Sequence, residues 1–282
     1  MLTSPKELLE KAQKGKYAVG AFNTSTISIT KAILAAAEKL KSPIIIQTSE
    51  GELKFGKVTC ILSFLLQCAK ETSVPCLVHQ DHCRDFKTAE KCIESGYQSI
   101  LADGSALSYN ENIAYTKKVV DLAHAKNIYV EGELGGVGRG STFHKGEIPR
   151  TNMTDPNQVA DFVKKTGIDS LAISFGNVHG VYKKSPQLDF ERLKAIRKKV
   201  DLPLVLHGSS GIRDEDIRRA ISLGISKINV STDLRIAFSN ALRKSLADPE
   251  AIVPYKYMIP AEKAVQEVVE EKIRLFGSAG KM

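Results

Sequence analysis

The sequence predicts an α/β chain: a (β/α)8 barrel of the TIM type with extra C-terminal helices. Three observations predict it. Short apolar runs alternate with amphipathic stretches eight times in 282 residues. Several of the runs are nearly continuous in Val, Ile and Leu, as parallel strands buried on both faces require. No G-x-G-x-x-G follows the first run, which weighs against an open doubly wound sheet. No Pro/Ser/Gly-rich seam interrupts the pattern, so residues 1–282 read as a single domain.

The first stretch, "MLTSPKELLEKAQKGK", reads as a capped helix. Ser4 and Glu7 form a capping box and Pro5 takes the first helical position. It has no apolar segment of the kind a signal peptide needs, and it carries two Glu. The strands follow as "YAVGAFN" (17–23), "PIIIQTS" (43–49), "PCLVHQD" (75–81), "SILADGS" (99–105), "YVEGELG" (129–135), "SLAISFG" (170–176), "LVLHGSS" (204–210) and "KINVSTD" (227–233). Between them, "ITKAILAAAEKL", "ENIAYTKKVVDLAHAK", "FERLKAIRKKV" and "DIRRAISLG" repeat apolar residues at intervals of three and four. Gly96, Gly167 and Gly224 follow helical segments, where a left-handed cap belongs. Asp155 before Pro156 reads as an N-cap with proline at the first helical position. Two more helices, "LRIAFSNALRKSLA" and "AEKAVQEVVEEKIRLFG", follow the eighth strand. The last reads as an appendage suited to a dimer contact.

Composition excludes some classes. No stretch reaches the roughly 18 uncharged apolar residues that a membrane helix needs. The formal charge is +8, but the basic residues are spread along helices among acidic ones. That pattern argues for a solvated surface rather than a nucleic-acid groove, and it is compatible with a phosphate-bearing ligand. The five cysteines, Cys60, Cys68, Cys76, Cys83 and Cys92, form neither a C-x-x-C pair nor a disulfide framework. They read as small buried hydrophobes in a reducing cytoplasm.

In a barrel of this kind, chemistry collects at the C-terminal ends of the strands. Those ends carry Asn23, Ser49, Asp81 with His82, Asp103, Glu131 with Glu133, His179, His207 and Asn229. An isolated histidine is usually structural. Three on three strand ends suit zinc, which takes three protein ligands and an open position in catalytic sites. His79 and His124 read as structural. "HGSSG" (207–211) and "NVSTD" (229–233) fall where barrels commonly bind phosphate with backbone N–H groups and hydroxyls, although glycine also serves a plain tight turn.

The motifs "HQDHC", "EGELGGVG", "GNVHGVYK", "LHGSSGI" and "INVSTDL", in this order, resemble the class II metal-dependent aldolases of the fructose-bisphosphate and tagatose-bisphosphate group. The resemblance runs over essentially the whole chain. It implies catalytic zinc on His82, His179 and His207, with Asp81 as the acid/base. It implies a second, sometimes occupied divalent position at Asp103 and Glu133. The phosphate of dihydroxyacetone phosphate would meet Gly180, Gly208, Ser209, Ser210, Asn229, Val230, Ser231 and Thr232, with Lys183 adding positive charge. Asn23 and Ser49 complete the substrate-binding set. A monovalent cation, Na+ or K+, is implied near that phosphate, and a homodimer or homotetramer is implied for the assembly.

The implied chemistry is reversible aldol cleavage. Zinc acts as a Lewis acid on the ketone, Asn229 steadies the intermediate by a hydrogen bond, and Asp81 exchanges the hydroxyl proton at the breaking bond. Fructose 1,6-bisphosphate is the first substrate to expect, and tagatose 1,6-bisphosphate or another phosphorylated keto sugar the next. The sequence departs from the family pattern twice. The loop after the fifth strand reads "GVGRGSTFHKGEIPR", so Ser141 and Thr142 stand where relatives carry the acidic pair that moves the carbon-bound proton, with Arg139 beside them. Glu147 is the expected replacement and His144 the alternative. Near the C-terminus, Tyr255 and Lys256 stand where relatives place an arginine for the far phosphate; lysine lacks the bidentate fork. Two other classes compete: a metal-assisted hydrolase, and a phosphosugar-binding relative impaired by Ser141. The intact histidines and Asp81 favour the aldolase.

Overall fold

The structure, a computed structural model, describes residues 1–137, 143–144, 153–182 and 185–282. Eight parallel strands close a barrel among them: β1 (Val19–Asn23), β2 (Ile44–Ser49), β3 (Cys76–Cys83), β4 (Ser99–Ala102), β5 (Tyr129–Leu134), β6 (Ser170–Ile173), β7 (Leu204–Leu206) and β8 (Ile225–Val230). Each strand pairs with its neighbours in sequence, and β8 closes on β1 through Ala21 opposite Asn229. Phe143–His144 and Val181–Tyr182 form a small separate parallel pair.

Helices link the strands around the outside: α2 (Ile27–Lys39), α3 (Glu50–Phe55), α4 (Val58–Glu71), α5 (Phe86–Ser95), α6 (Tyr109–His124), α7 (Pro156–Thr166), α8 (Phe190–Arg197) and α9 (Asp214–Ser222). After β8 come α10 (Thr232–Ser245), the short α11 (Pro254–Tyr257) and α12 (Ile259–Phe276). Their ends follow local chemistry. Asp155 accepts from the Asn157 N–H at 2.9 Å to start α7. Gly96 and Gly167 end α5 and α7 at φ of 97° and 72°.

Alternation along the strands separates two apolar clusters. Phe22, Ile44, Ile46, Val78, Ile100, Val130 and Leu171 face outward and pack with the surrounding helices. Val19, Ala21, Ile45, Leu77 and Tyr129 form a second cluster with Leu8, Leu9 and Ala12 of α1 (Pro5–Gly15). The first helix therefore plugs the N-terminal end of the barrel. The inward positions nearer the C-terminal rim are polar and buried: Gln47, His79, Glu131 and Lys227, then Asn23, Asp81, His207 and Asn229.

Some expectations need correction. The last helix is not an appendage: Val265, Val269, Ile273 and Phe276 are buried in the main core, and α12 packs against α2 and α10. Ser4 caps α1 by accepting from the Glu7 N–H, at 3.4 Å; the reciprocal half of a capping box is absent there. Reciprocal boxes form instead at Ser49–Glu52 and Ser108–Glu111. Cys60 is exposed and Cys68 half-buried, so only Cys76, Cys83 and Cys92 fit the buried reading. β6 and β7 stop three and four residues short of the expected runs, and β3 extends two residues further, to Cys83. At each such end, polar residues leave or prolong the ladder to serve the rim.

Phe162 of α7 is fully buried in the shell between helices and barrel. Phe162→Ala should lower the unfolding free energy by about 3–5 kcal/mol, read from the shift of a urea denaturation midpoint at unchanged slope.

Candidate metal and acid/base site

The residues "QDHC" of β3 occupy neighbouring positions, which regular alternation would send to opposite faces. The structure prevents this. His82 has φ of 58°, in the left-handed region, and the β3–β4 register shifts between Gln80 and Cys83. A non-glycine residue held there costs about 1–2 kcal/mol. The outcome is that Asp81 and His82 both face the barrel mouth, with His82 Nε2 3.7 Å from Asp81 Oδ1.

Three imidazoles meet at that mouth. The His82 ring centroid lies 5.3 Å from that of His179 and 4.9 Å from that of His207, and His179 and His207 are 5.9 Å apart. Their rings stand edge to face, and one nitrogen from each falls within 4.8 Å of the others. His82 Nε2 and His207 Nδ1 approach to 3.3 Å. Two ring nitrogens this close, with a third nearby, are an arrangement that a shared cation stabilises when the rings are neutral.

Each of two rings is oriented through its other nitrogen. His82 Nδ1 donates to Asp103 Oδ2 at 2.9 Å, so in the neutral ring the lone pair lies on Nε2. His207 Nε2 donates to Glu131 Oε1 at 2.8 Å, so Nδ1 is the exposed lone pair. Glu131 Oε2 accepts from Lys227 Nζ at 2.7 Å, and Lys227 also reaches His79 Nε2 at 3.4 Å. His79 Nδ1 lies 2.8 Å from Ser99 Oγ. All seven of these side chains are buried.

Asp81 is clamped from two sides. Asn23 Nδ2 donates to Oδ2 and Asn229 Nδ2 to Oδ1, both at 3.1 Å. Gln47 Nε2 in turn holds Asn23 Oδ1 at 2.9 Å. The donor set leaves Asp81 beside the histidines, with no oxygen in the three-nitrogen group.

Electrostatics of the metal-free site follow from burial and charge. Burial pushes the Asp81 carboxyl up, but His82, His207 and Lys227 outweigh it and hold its pKa at about 2. Burial pulls His82 down, but Asp81, Asp103 and Glu133 raise it to about 9. Burial, then His82 and His207, lower His179 to about 3 against the pull of Asp81 and Asp103. Burial and Lys227 lower His79 to about 3. Glu131 is held well below the carboxylate range by Lys227 and His207 against its burial. Glu133 is raised, by burial and by Asp103.

The expected second metal position is also compact: nitrogen or oxygen atoms of His82, Asp103 and Glu133 lie within 4.8 Å of one another. Glu133 Oε2 is buried without a hydrogen-bond partner among the described residues and sits 3.6 Å from His82 Nδ1. The Asp103 oxygens are already engaged. Oδ1 accepts from Ser105 Oγ at 2.6 Å, and Oδ2 accepts from His82 and from Arg84 Nε at 3.1 Å. Asp103 therefore serves here first as the acceptor that aims His82. The three-histidine group fits a zinc ion better than this one.

The residues expected to bind the anion fall on the adjoining rim. Gly208 lies directly after His207 with φ of 65°, and a Cβ there would stand 2.3 Å from the Val178 carbonyl oxygen. Gly180, with φ of 102°, follows His179. Ser209 and Ser210 are buried, and Ser209 Oγ donates to the Asn229 carbonyl at 2.7 Å. Val230 ends β8, Ser231 is the N-cap of α10, and Thr232 is its first residue. Backbone N–H groups at the start of such a helix attract anions. Ser49 stands opposite Asp81 in the β2–β3 register, but its N–H and hydroxyl both donate to Glu52. Glu147, Lys183, Arg139, Ser141 and Thr142 lie outside the described residues, as does the His144 side chain. Tyr255 and Lys256 are exposed on α11.

Lys227, Gln47 and Arg84 are the contributors that site-by-site reading of the sequence passes over, and Glu131, named there among the strand-end residues, is given no role. A lysine inside "ISKINV" is the one signal that Lys227 leaves.

A family model described as "Fructose-bisphosphate aldolase class-II" matches residues 3–281. A fructose-bisphosphate aldolase of Geobacillus stearothermophilus is 44% identical over 99% of this chain and 98% of its own length. Among solved structures, the YdjI aldolase from Escherichia coli K12 superposes with a TM-score of 0.88 at 37% identity, covering 100% of this chain and 99% of that one. A fructose-bisphosphate aldolase from Campylobacter jejuni gives 0.85 at 26% identity, covering 100% and 97%.

Breaking a buried ion pair on one side leaves an uncompensated charge. Lys227→Met should therefore destabilise the fold by about 3–5 kcal/mol, measured by denaturant unfolding of the metal-free protein.

Proposed function

The chain belongs to the class II fructose-bisphosphate aldolase family, and from that premise we propose a zinc-dependent enzyme that reversibly cleaves fructose 1,6-bisphosphate into dihydroxyacetone phosphate and glyceraldehyde 3-phosphate. The family makes it a metal-dependent carbon–carbon lyase. The observation that carries the finer reading is the convergence of His82, His179 and His207 beside the clamped carboxylate of Asp81. Three nitrogen donors favour zinc over harder cations, which prefer oxygen. Bound there, the ion supplies Lewis-acid polarisation of a ketone oxygen.

The residues of the chain do the rest. Asp81, ionised and held by Asn23 and Asn229, takes the hydroxyl proton at the bond to be cleaved and returns it in condensation. Asn229 has its Nδ2 committed to Asp81, and its buried Oδ1 has no hydrogen-bond partner among the described residues. That oxygen is an acceptor for a substrate hydroxyl. Gly180, Gly208, Ser209, Ser210, Val230, Ser231 and Thr232 receive the phosphate through backbone N–H groups and hydroxyls, with Lys183 as the added cation. Glu147 moves the carbon-bound proton in place of Ser141 and Thr142. Asp103 and Glu133 hold a second divalent ion when one binds, and Na+ or K+ sits near the phosphate.

The whole chain forms one domain. It assembles as a homodimer or homotetramer; exposed Ile252, Tyr255 and Ile259 around α11 support a subunit contact there. No helix among the described residues is long and apolar enough to cross a membrane. The free cysteines support a cytoplasmic setting, with phosphorylated sugars rather than nucleic acid or membrane as partners.

The reading is tested by incubating the protein with zinc, dihydroxyacetone phosphate and glyceraldehyde 3-phosphate and identifying the ketose. Fructose 1,6-bisphosphate should form, chelation should abolish its formation, and added zinc should restore it. A tagatose product would change the sugar; no carbon–carbon bond formation would end the lyase reading. Asp81→Asn should retain zinc and lower kcat by on the order of 10²–10⁴ with little change in KM. Glu147→Gln should nearly abolish exchange of the dihydroxyacetone phosphate C–H proton with solvent; full exchange would remove Glu147 from this role.

A further inference from the structure

The barrel interior holds a charged pair that the proposed reaction does not touch. Lys227 and Glu131 are each about 1% exposed, one strand face below the site. The two oxygens of Glu131 have different partners: Oε2 faces Lys227 Nζ at 2.7 Å, and Oε1 faces His207 Nε2 at 2.8 Å. His207 is itself fully buried, so no water competes for Nε2.

We propose that Glu131 and Lys227 are positioning residues that together fix the tautomer of His207. An ionised carboxylate is acceptor-only, so the hydrogen of a neutral His207 ring must lie on Nε2. That leaves the lone pair on Nδ1, the nitrogen 3.3 Å from His82 Nε2. The opposite tautomer would put a hydrogen where a metal must bind. Lys227 has its own part. An ammonium has donors and no acceptor, so whatever occupies position 131 must turn an acceptor towards it. His79 reinforces the direction, because its Nδ1 contacts Ser99 Oγ and its Nε2 faces Lys227. The inference rests on the reading of His82, His179 and His207 as the metal site.

This geometry makes a prediction that mere packing does not. In E131Q the side chain keeps its size, but Lys227 holds the amide oxygen. The amide NH2 then faces His207 Nε2 and donates to it. The ring hydrogen is driven to Nδ1 and the metal-facing lone pair is lost. In E131Q/K227M the cation that orients the amide is gone. The amide can flip, present its oxygen to His207 and restore the original tautomer. The second substitution thus rescues the first.

The test uses the full-length protein, wild type, E131Q, K227M and E131Q/K227M, each confirmed as folded by thermal unfolding. Zinc affinity is measured by competition with a chromophoric chelator. In parallel, the His207 tautomer is read in the metal-free proteins by two-bond ¹H–¹⁵N correlation on labelled histidine. E131Q should lose on the order of 10–100-fold in zinc affinity and show the Nδ1–H tautomer. E131Q/K227M should recover most of the affinity and the Nε2–H tautomer. Wild-type affinity in E131Q, or losses that simply add in the double variant, would overturn the proposal while leaving the metal site standing. A wild type that shows the Nε2–H tautomer, and an E131Q that reverses it, would support the lock even if neither bound zinc; that result would refute the metal reading alone. Should E131Q fail to fold, the double variant decides: an Nδ1–H tautomer there would overturn the proposal, and an Nε2–H tautomer would support it.

Discussion

The middle of a closed barrel is filled by side chains, and this chain places charge there. That constraint organises everything above it. Lys227 is compensated by Glu131, Glu131 is shared with His207, and His207 meets His82 at the mouth. His82 continues the chain to Asp103, and Asp103 reaches Arg84, whose side chain is partly exposed. Burying a single one of these groups alone would cost several kcal/mol. Linked together, they form a continuous path from the barrel interior to solvent in which each member sets the direction of the next. The nitrogens that face each other at the mouth are aimed by partners well below them.

The second device is local. Asp81 and His82 face the same place, although they are consecutive in a strand. A regular strand would bury His82 against the helices. The left-handed backbone at His82 turns it back, at an energetic cost that the fold absorbs elsewhere. The carboxylate then sits close enough to act with the imidazoles yet is held apart from them by two asparagines. A side chain held by two amides cannot easily swing to become a ligand itself.

Much of this is legible in the sequence. Continuous Val/Ile/Leu runs signal strands covered on both faces, and their number and spacing signal closure. The three histidines were legible because each ends or follows a strand, where polar residues are out of place unless they do something. Strand ends were read less well, because "HGSSG" and "NVSTD" contain residues that a strand tolerates and a turn prefers. Lys227 was not legible: an inward lysine is indistinguishable in sequence from one on the surface, and only closure of the barrel shows which it is. His79 reads as structural in the sequence, and its contact with Lys227 depends on two residues 148 positions apart. The role of α12 was misread because an amphipathic terminal helix does not announce which partner covers its apolar face.

The plug at the foot of the barrel has a consequence for traffic. Leu8, Leu9 and Ala12 seal the end remote from the histidine cluster with side chains that are almost wholly inaccessible. Among the described residues, that leaves the C-terminal mouth as the way in. A six-carbon molecule cut in two there must leave, as two fragments, on the side by which it came.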